Sequence, residues 1–534
     1  MKGEISLGKA ETSVAEIAAI AQGASISLDP TALDAMRRVQ ELVAKAVESG
    51  QAIYGLTTGV GDLYSVRLRP EEIAHAQMNL LRSHASGVGA PHDSAAIRAM
   101  MATMIKALVQ GFSGVSPELV VTMAQMLNRG VTPWSPGGGS VGYLIATAHI
   151  GLAVFGQGKA WYQGELLSGG EALRRAGIEV REPGPREGLA LIGGTYEITG
   201  IGALAFQRTL DLVALADLAG AMTLEAVRGN MRGYDARLQH LRPQPGQIAT
   251  AARLRALLES SEIIEANKNH RLQDALSLRC IPQVHGAVRD ALDYCGTALR
   301  IEVNSVTDNP VFIIEEGELI ALSGGGNGHG APTALALDHL AVAIAALSSM
   351  SRARSDRLTS AHLSGLTAFL ADGKGSNSGF MIPPYVAAAL AADNRSLAAP
   401  ATVHTVSTCA GQEDHVSMGV ASAKKARTAA DNLADILSVE LLCAAQALDF
   451  HGPLKAGRGT GAAYRLIRSK VAPRDVDRDM YPDLEAVRAL IDDGSLAAAV
   501  DDALRAARGD ITRALNILDR AGVGNPPVKG DELP

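Results

Sequence analysis

The chain has 534 residues, is 47% hydrophobic and only 4% aromatic, and carries a net charge of -7. Such a composition supports a large apolar core and excludes the basic footprint of a nucleic-acid-binding protein. No unbroken apolar run of about 18 or more residues suggests a membrane span. Length alone would suggest about three or four domains, although large single helical bodies break that prior.

In chain order, Met1-Lys2-Gly3-Glu4-Ile5 lacks the apolar stretch of a signal peptide. Residues 31–48 are predicted to form an amphipathic helix with Leu33, Met36, Val39, Leu42 and Val43 on one face. The stretch Tyr54-Gly55-Leu56-Thr57-Thr58-Gly59-Val60-Gly61 is rich in Gly and Thr, which lets backbone and a phenol approach a ligand closely. Read alone, Tyr54 is either a packed tyrosine or a base. In Ser83-His84-Ala85-Ser86-Gly87-Val88-Gly89, His84 is either a capping group or a site residue. Gly139-Ser140-Val141-Gly142-Tyr143-Leu144 leads into an apolar helix predicted over 144–152.

Glu187-Gly188-Leu189-Ala190-Leu191-Ile192-Gly193-Gly194-Thr195-Tyr196-Glu197 precedes a strongly apolar helix, expected from Ile201 to about Gly229. Gln273-Asp274-Ala275-Leu276-Ser277-Leu278-Arg279-Cys280 contains Arg279, a candidate carboxylate clamp, because guanidinium and carboxylate fit as a bidentate pair. A structural ion pair is its other reading. Val303-Asn304-Ser305 and Gly325-Gly326-Asn327-Gly328-His329-Gly330 precede a core helix expected over 334–350. The loop Gly373-Lys374-Gly375 through Met381 follows, with Lys374 either solvated or functional. Gly411-Gln412-Glu413-Asp414-His415 holds Glu413, a site acid or a helix-cap partner. Another core helix is predicted over 429–450, and Gly522 to Pro534 reads as a loose polar tail. Cys280, Cys295, Cys409 and Cys443 lack metal-site spacing, so no metal is expected and they read as reduced thiols of a cytoplasmic protein.

Several of these stretches together resemble the aromatic amino acid ammonia-lyase family, over roughly residues 30 to 480. The resemblance implies a mostly α fold of the ammonia-lyase/fumarase type. It would have a Gly-rich N-terminal domain carrying the site loops, a long central helical bundle, and a homotetramer whose active sites are shared between subunits. The domains expected are 1–205, 206–450 and 451–534. By the same resemblance Tyr54 takes the β-proton of the substrate, His84 and Met381 face its ring, Glu413 reaches that ring, Arg279 clamps the carboxylate, and Asn304 belongs to the substrate site. The Ser-His-Ala form around His84 is similar to that of histidine lyases.

The departures are as specific as the matches. The family's loop continues from Gly-Ser-Val-Gly into Ala-Ser-Gly, which cyclises to an electrophilic methylidene-imidazolone. Here Gly142 is followed directly by Tyr143 and Leu144. Gly193 replaces an Asn that serves the prosthetic group, and Gly328 replaces a bulky Phe beside it, which is expected to make room. The group is therefore expected to be absent and no cofactor is expected. A quaternary ammonium needs no such electrophile, since trimethylamine leaves as a neutral weak base. The expected reaction is elimination of trimethylamine from ergothioneine, the thio-imidazole betaine, giving thiol-urocanate. Tyr54 would act as base, Glu413 with Lys374 would engage the ring, and Tyr143, Tyr196 and Glu197 would surround the ammonium. The two tyrosines could equally fill vacated space. The alternatives are a histidine ammonia-lyase, a lyase for another imidazole betaine, and a catalytically dead homologue. No nucleic acid or membrane partner is expected.

Overall fold

The computed structural model describes residues 4–506; the expected polar tail from Gly522 to Pro534 lies outside them. The chain divides into two compact units, each discontinuous in sequence. The first comprises the residues through Gln207 together with Ala298–His339 and Pro400–Arg427. The second comprises Arg208–Thr297, Leu340–Ala399 and the described residues from Thr428 on. The division falls inside four long helices, Tyr196–Ala226, Ile281–Val303, Ala331–Thr359 and Gly419–Asp449, so the units do not follow the chain order in which the domains were expected.

In the first unit the sheets are small. Ile5–Leu7 pairs in parallel with Ile26–Leu28, and Val88–Pro91 pairs antiparallel with Pro136–Gly138. Helix Pro30–Glu48 starts on the Asp29 side chain, which accepts from Thr31 N–H, and Pro30 occupies its first turn. It buries Met36, Val39 and Val43 of the predicted face, while Leu33 and Leu42 stay half-buried. At the centre, helix Ser94–Leu108 is buried from Ala96 to Leu108, including two cations. Lys106 Nζ donates to the carbonyls of Gly8 and Ala10, both at 2.7 Å. The Arg98 guanidinium donates to the carbonyls of Ile20 and Leu127 at 3.0 and 2.9 Å. Carbonyl oxygens thus solvate these charges in place of water, and burial holds both groups below their usual pKa.

The second unit has a charged core. Arg354 meets Glu440 in a two-pronged ion pair, Nε–Oε1 2.6 Å and Nη2–Oε2 2.9 Å, with Thr223 Oγ1 donating to Glu440 at 2.8 Å. His285 donates from Nδ1 to Asp217 at 2.7 Å and turns Nε2 toward Arg354 Nη1 at 3.4 Å. Arg289 closes on the other Asp217 oxygen. This explains why helix Ala331–Thr359 runs nine residues beyond the predicted end at Met350. Ser351, Arg354 and Ser355 look like a solvated stretch in sequence, yet all three are buried. Helices 187–226 and 331–359 are long and apolar enough to cross a membrane by composition, but 89% and 67% of their apolar windows are buried within the protein.

Candidate active site

A cavity of about 880 Å³ in the first unit gathers four of the expected residues, Tyr54, His84, Tyr143 and Glu413. Each is delivered by a different segment.

Tyr54 sits in a turn braced by Thr57, whose Oγ1 accepts from Ile53 N–H at 2.8 Å and donates to the Gln51 carbonyl at 2.5 Å. Gly61 N–H donates to the Tyr54 phenol oxygen at 3.0 Å. This hydrogen bond fixes the position of the phenol oxygen in the cavity wall. Gly61 has φ +56, and a Cβ there would lie 2.6 Å from Cys409 Sγ. Gly61→Ala is therefore expected to displace this donor and lower kcat on the order of 10²-fold, with little change in the thermal unfolding midpoint. Steady-state kinetics beside a melting curve check it, and unchanged turnover would count against the donor's role.

His84 ends the helix Pro70–His84. Its Nδ1 lies 2.8 Å from the Leu80 carbonyl, which can only accept, so Nδ1 carries the proton. In the neutral ring Nε2 is then a lone-pair acceptor.

Tyr143 lies where the loop passes straight into helix Ile145–Val154. The turn is completed at Leu144, whose φ of +85 is costly for a branched residue. The loop is pinned by Met418 N–H to the Val141 carbonyl at 2.8 Å. The Tyr143 phenol hydrogen-bonds Glu413 and is pushed up to about 12, first by burial, then by the charges of Glu413 and Tyr54. It is a neutral donor at physiological pH. Glu413 also accepts from Thr408 Oγ1 at 3.1 Å across a bridge between Thr408 and Glu413.

The remaining expected residues are placed elsewhere. Tyr196 is 2% exposed, donates its hydroxyl to the Ala190 carbonyl at 3.2 Å, and does not line the cavity. Glu197 is 1% exposed and faces His92 Nε2 at 3.2 Å. Of the three residues expected around the ammonium, Tyr143 alone lines the cavity, with Glu413 beside it. Asn304 braces the N-terminal segment, accepting from Thr12 N–H and donating to the Thr12 carbonyl, both at 2.8 Å. Arg279, Lys374 and Met381 belong to the second unit. Lys374 is exposed, 3.7 Å from Asp372, and Arg279 Nε is buried without a partner. Gly328 does not open space: a Cβ there would lie 2.8 Å from the Gly193 carbonyl, so the two glycines allow close backbone approach.

Asp62, Cys409, Asp414 and the imidazoles of His329 and His415 also line the cavity. The two histidines lie inside stretches singled out from the sequence, but nothing there indicated that they meet. Among the described residues of the single chain no Lys or Arg lines it, and no group of three side chains has metal-ligand geometry.

Small sheets bearing loops and long helices give a fold of the ammonia-lyase type, and the chain belongs to the aromatic amino acid lyase family, whose model matches residues 12–469. It is 44% identical to histidine ammonia-lyase of Anaeromyxobacter dehalogenans over 495 residues, 90% of this chain and 97% of that one. The crystal structure of histidine ammonia-lyase from Trypanosoma cruzi is similar at TM-score 0.89 and 33% identity, covering 99% of this chain and 100% of that one. The ergothioneine-degrading enzyme ergothionase from Treponema denticola is similar at TM-score 0.86 and 28% identity, covering 92% and 99%.

These relatives overturn the expectation that no cofactor is used. Curated relatives at 43–44% identity are histidine ammonia-lyases, which work through a methylidene-imidazolone, so the family assignment implies that group. Its Ala-Ser-Gly precursor is not found between Gly139 and Leu144. The tripeptide occurs once, as Ala85-Ser86-Gly87 directly after His84, where a Cβ on Gly87 would lie 2.8 Å from Pro136 and 3.0 Å from Ile145. The loop residues at 139–144 thus do not fit the group.

Proposed function

We propose that this chain is a carbon–nitrogen lyase that removes the α-amine from an imidazole-bearing α-ammonium acid. The observation that carries the reading is the Tyr54 phenol in the cavity with Gly61 N–H on its oxygen. As phenolate, Tyr54 takes the β-proton; the C–H electron pair becomes the Cα=Cβ bond; the Cα–N bond breaks and its pair leaves with nitrogen. The His84 Nε2 lone pair accepts from the substrate's ring N–H. Glu413 and the face of Tyr143 attract the ammonium.

Histidine, with release of ammonia, is the substrate that the curated relatives favour at 44% identity. Ergothioneine, with release of trimethylamine, is favoured by a different observation. An aromatic face beside a carboxylate suits a quaternary cation, at about 0.5–2 kcal/mol, and Tyr143 with Glu413 supplies that pair. The likeness to ergothionase supports the same substrate. A homotetramer in which other copies bring Arg279, Lys374 and Met381 to the cavity belongs to this proposal.

The test is incubation of the purified protein with each compound in turn. Near-ultraviolet absorbance follows the conjugated acid, separate assays measure ammonia and trimethylamine, and intact mass detects the water lost when an Ala-Ser-Gly tripeptide cyclises. A conjugated product from one of the two is expected, and the amine released identifies which. Neither product from either compound would overturn the proposal.

A further inference from the structure

The loop from Asp372 to Met381 carries two of the expected site residues, Lys374 and Met381, and no helix or strand runs through it. Its course is therefore fixed by individual contacts. At Gly379, φ +54, a Cβ would lie 2.6 Å from the Phe369 carbonyl oxygen, so the chain doubles back there. Phe380, 2% exposed, anchors the far end, and its N–H donates to that same carbonyl at 2.8 Å. Near the start, Asp372 accepts from Lys374 N–H at 3.1 Å and from the Asn377 side chain at 3.3 Å.

The centre of the loop is held by one carboxylate from far along the chain. Asp477 Oδ2 accepts from Ser378 N–H at 2.6 Å, and Oδ1 accepts from Gly379 N–H at 2.9 Å. In return Asp477 N–H donates to Asn377 Oδ1 at 3.0 Å. The Ser378 N–H first of all, then the Gly379 N–H and the Arg474 guanidinium, holds the Asp477 carboxyl below its usual pKa, so it is an anion at physiological pH. The clamp is itself braced. Arg474 N–H donates to Gln446 Oε1 on helix Gly419–Asp449 at 3.1 Å, and the Arg474 guanidinium lies 3.5 Å from Asp477. Arg478 pairs at 2.9 Å with Asp483, in the first turn of helix Tyr481–Asp492. All of these residues belong to the second unit. Asp477 lies beyond the residues that the family model matches, which end at 469.

A carboxylate on two successive N–H groups is also what an ordinary turn cap looks like. Here the two donors lie between Lys374 and Met381, and the loop has little else to hold it. The Lys374 side chain is 79% exposed and Ile382 is 57% exposed. Where so little apolar surface is packed, charge-assisted hydrogen bonds are a large share of what orders a segment. We propose that Asp477 is a positioning residue for the substrate site: by clamping Ser378 and Gly379 it keeps Lys374 and Met381 where they meet the substrate's ring in the cavity of a neighbouring copy. This rests on the reading in which other copies complete the cavity.

The test compares Asp477→Ala with the wild type, as intact proteins, by backbone hydrogen exchange, by turnover of histidine and of ergothioneine, and by calorimetric binding of the unsaturated product. Peptides covering 373–381 should exchange on the order of tenfold faster in the variant, with the melting temperature nearly unchanged. KM should rise and product affinity should fall, each on the order of tenfold, with a much smaller change in kcat. Asp477→Asn keeps one acceptor oxygen and should fall between the two. The loss of affinity should largely disappear when Asp477→Ala is made in a Lys374→Ala/Met381→Ala background, because the clamp acts through those side chains; a merely structural role would leave it intact. Unchanged exchange over 373–381 overturns the clamp. Faster exchange with unchanged KM and affinity, or a loss of affinity that persists in the double background, overturns its role in the site. Wild-type protein that turns over neither compound removes the substrate reading and this assignment with it, whatever the exchange shows of the clamp.

Discussion

Tyr54→Phe is expected to lower kcat by roughly 10²–10⁴-fold, the range by which a positioned proton-transfer group contributes, while product affinity changes by less than about threefold. The substitution removes one oxygen. That oxygen is both the candidate base and the acceptor for Gly61 N–H at 3.0 Å, so the donor is left without its partner but the ring and the Thr57-braced turn are kept. Two phenols face the cavity, and Tyr143 is poorly suited to this work. Burial and the neighbouring Glu413 push Tyr143 up to about 12, which leaves it protonated at physiological pH. Tyr143→Phe should therefore act through loss of the hydrogen bond to Glu413 and cost much less in kcat. Steady-state kinetics with calorimetric binding of the unsaturated product distinguish the two. A Tyr54→Phe enzyme within tenfold of wild type, or a larger loss in Tyr143→Phe, would reassign the base.

Glu440→Gln should destabilise the protein by about 3–5 kcal/mol, the usual consequence of removing one partner of a buried ion pair. Arg354 and Glu440 are fully buried, and Glu440 uses both oxygens on Arg354 while accepting from Thr223. Glutamine preserves the shape but leaves the guanidinium uncompensated in a dry site. The double variant Arg354→Met/Glu440→Met should recover most of the loss, since no charge remains buried. Apparent melting temperature at fixed protein concentration checks both. A Glu440→Gln protein melting within a degree or two of wild type would mean that the pair is solvated in the working assembly.

The same cluster sets a pH dependence. Burial, aided by Arg354 and opposed by Asp217, lowers the pKa of His285 below its usual value. The unfolded chain then binds the proton more readily than the folded one below about pH 6.5. The contribution of His285 is thus complete above that value and is lost as pH falls through it. His285→Gln should flatten the melting temperature between pH 7.5 and 5.5; an unchanged slope would place the dependence on other groups, such as His149 and His451, which burial also lowers.

Much of the cavity was legible because its chemistry sits in short local motifs. Tyr54 and Glu413 each stand in a Gly-rich turn, and His84 directly precedes one, where residue types are constrained by backbone conformation. Gly61 at φ +56 and Gly411 at φ +85 are examples. Such constraints leave a trace within a few residues of the functional side chain. The expected enclosure of the ammonium failed for the opposite reason. Tyr196 and Glu197 adjoin a matching motif, but they begin a helix, and successive helical residues point in different directions. Tyr196 turns back to the Ala190 carbonyl, and Glu197 meets His92, 105 positions away.

The sequence by itself determined the family, the loops that carry the candidate chemistry, and the direct passage from Gly142 to Tyr143 where Ala-Ser-Gly would stand. Each is a property of contiguous residues. Only the tertiary structure decided which of those residues share a cavity. It also paired His329 with His415 across 86 positions and buried Arg354 against Glu440 at the same separation. Pairings of that kind depend on which polar groups lose their water together when distant segments pack. A charge or an imidazole has the same local signature whether it ends in solvent or in a core, and its partner is chosen only when the chain closes around both.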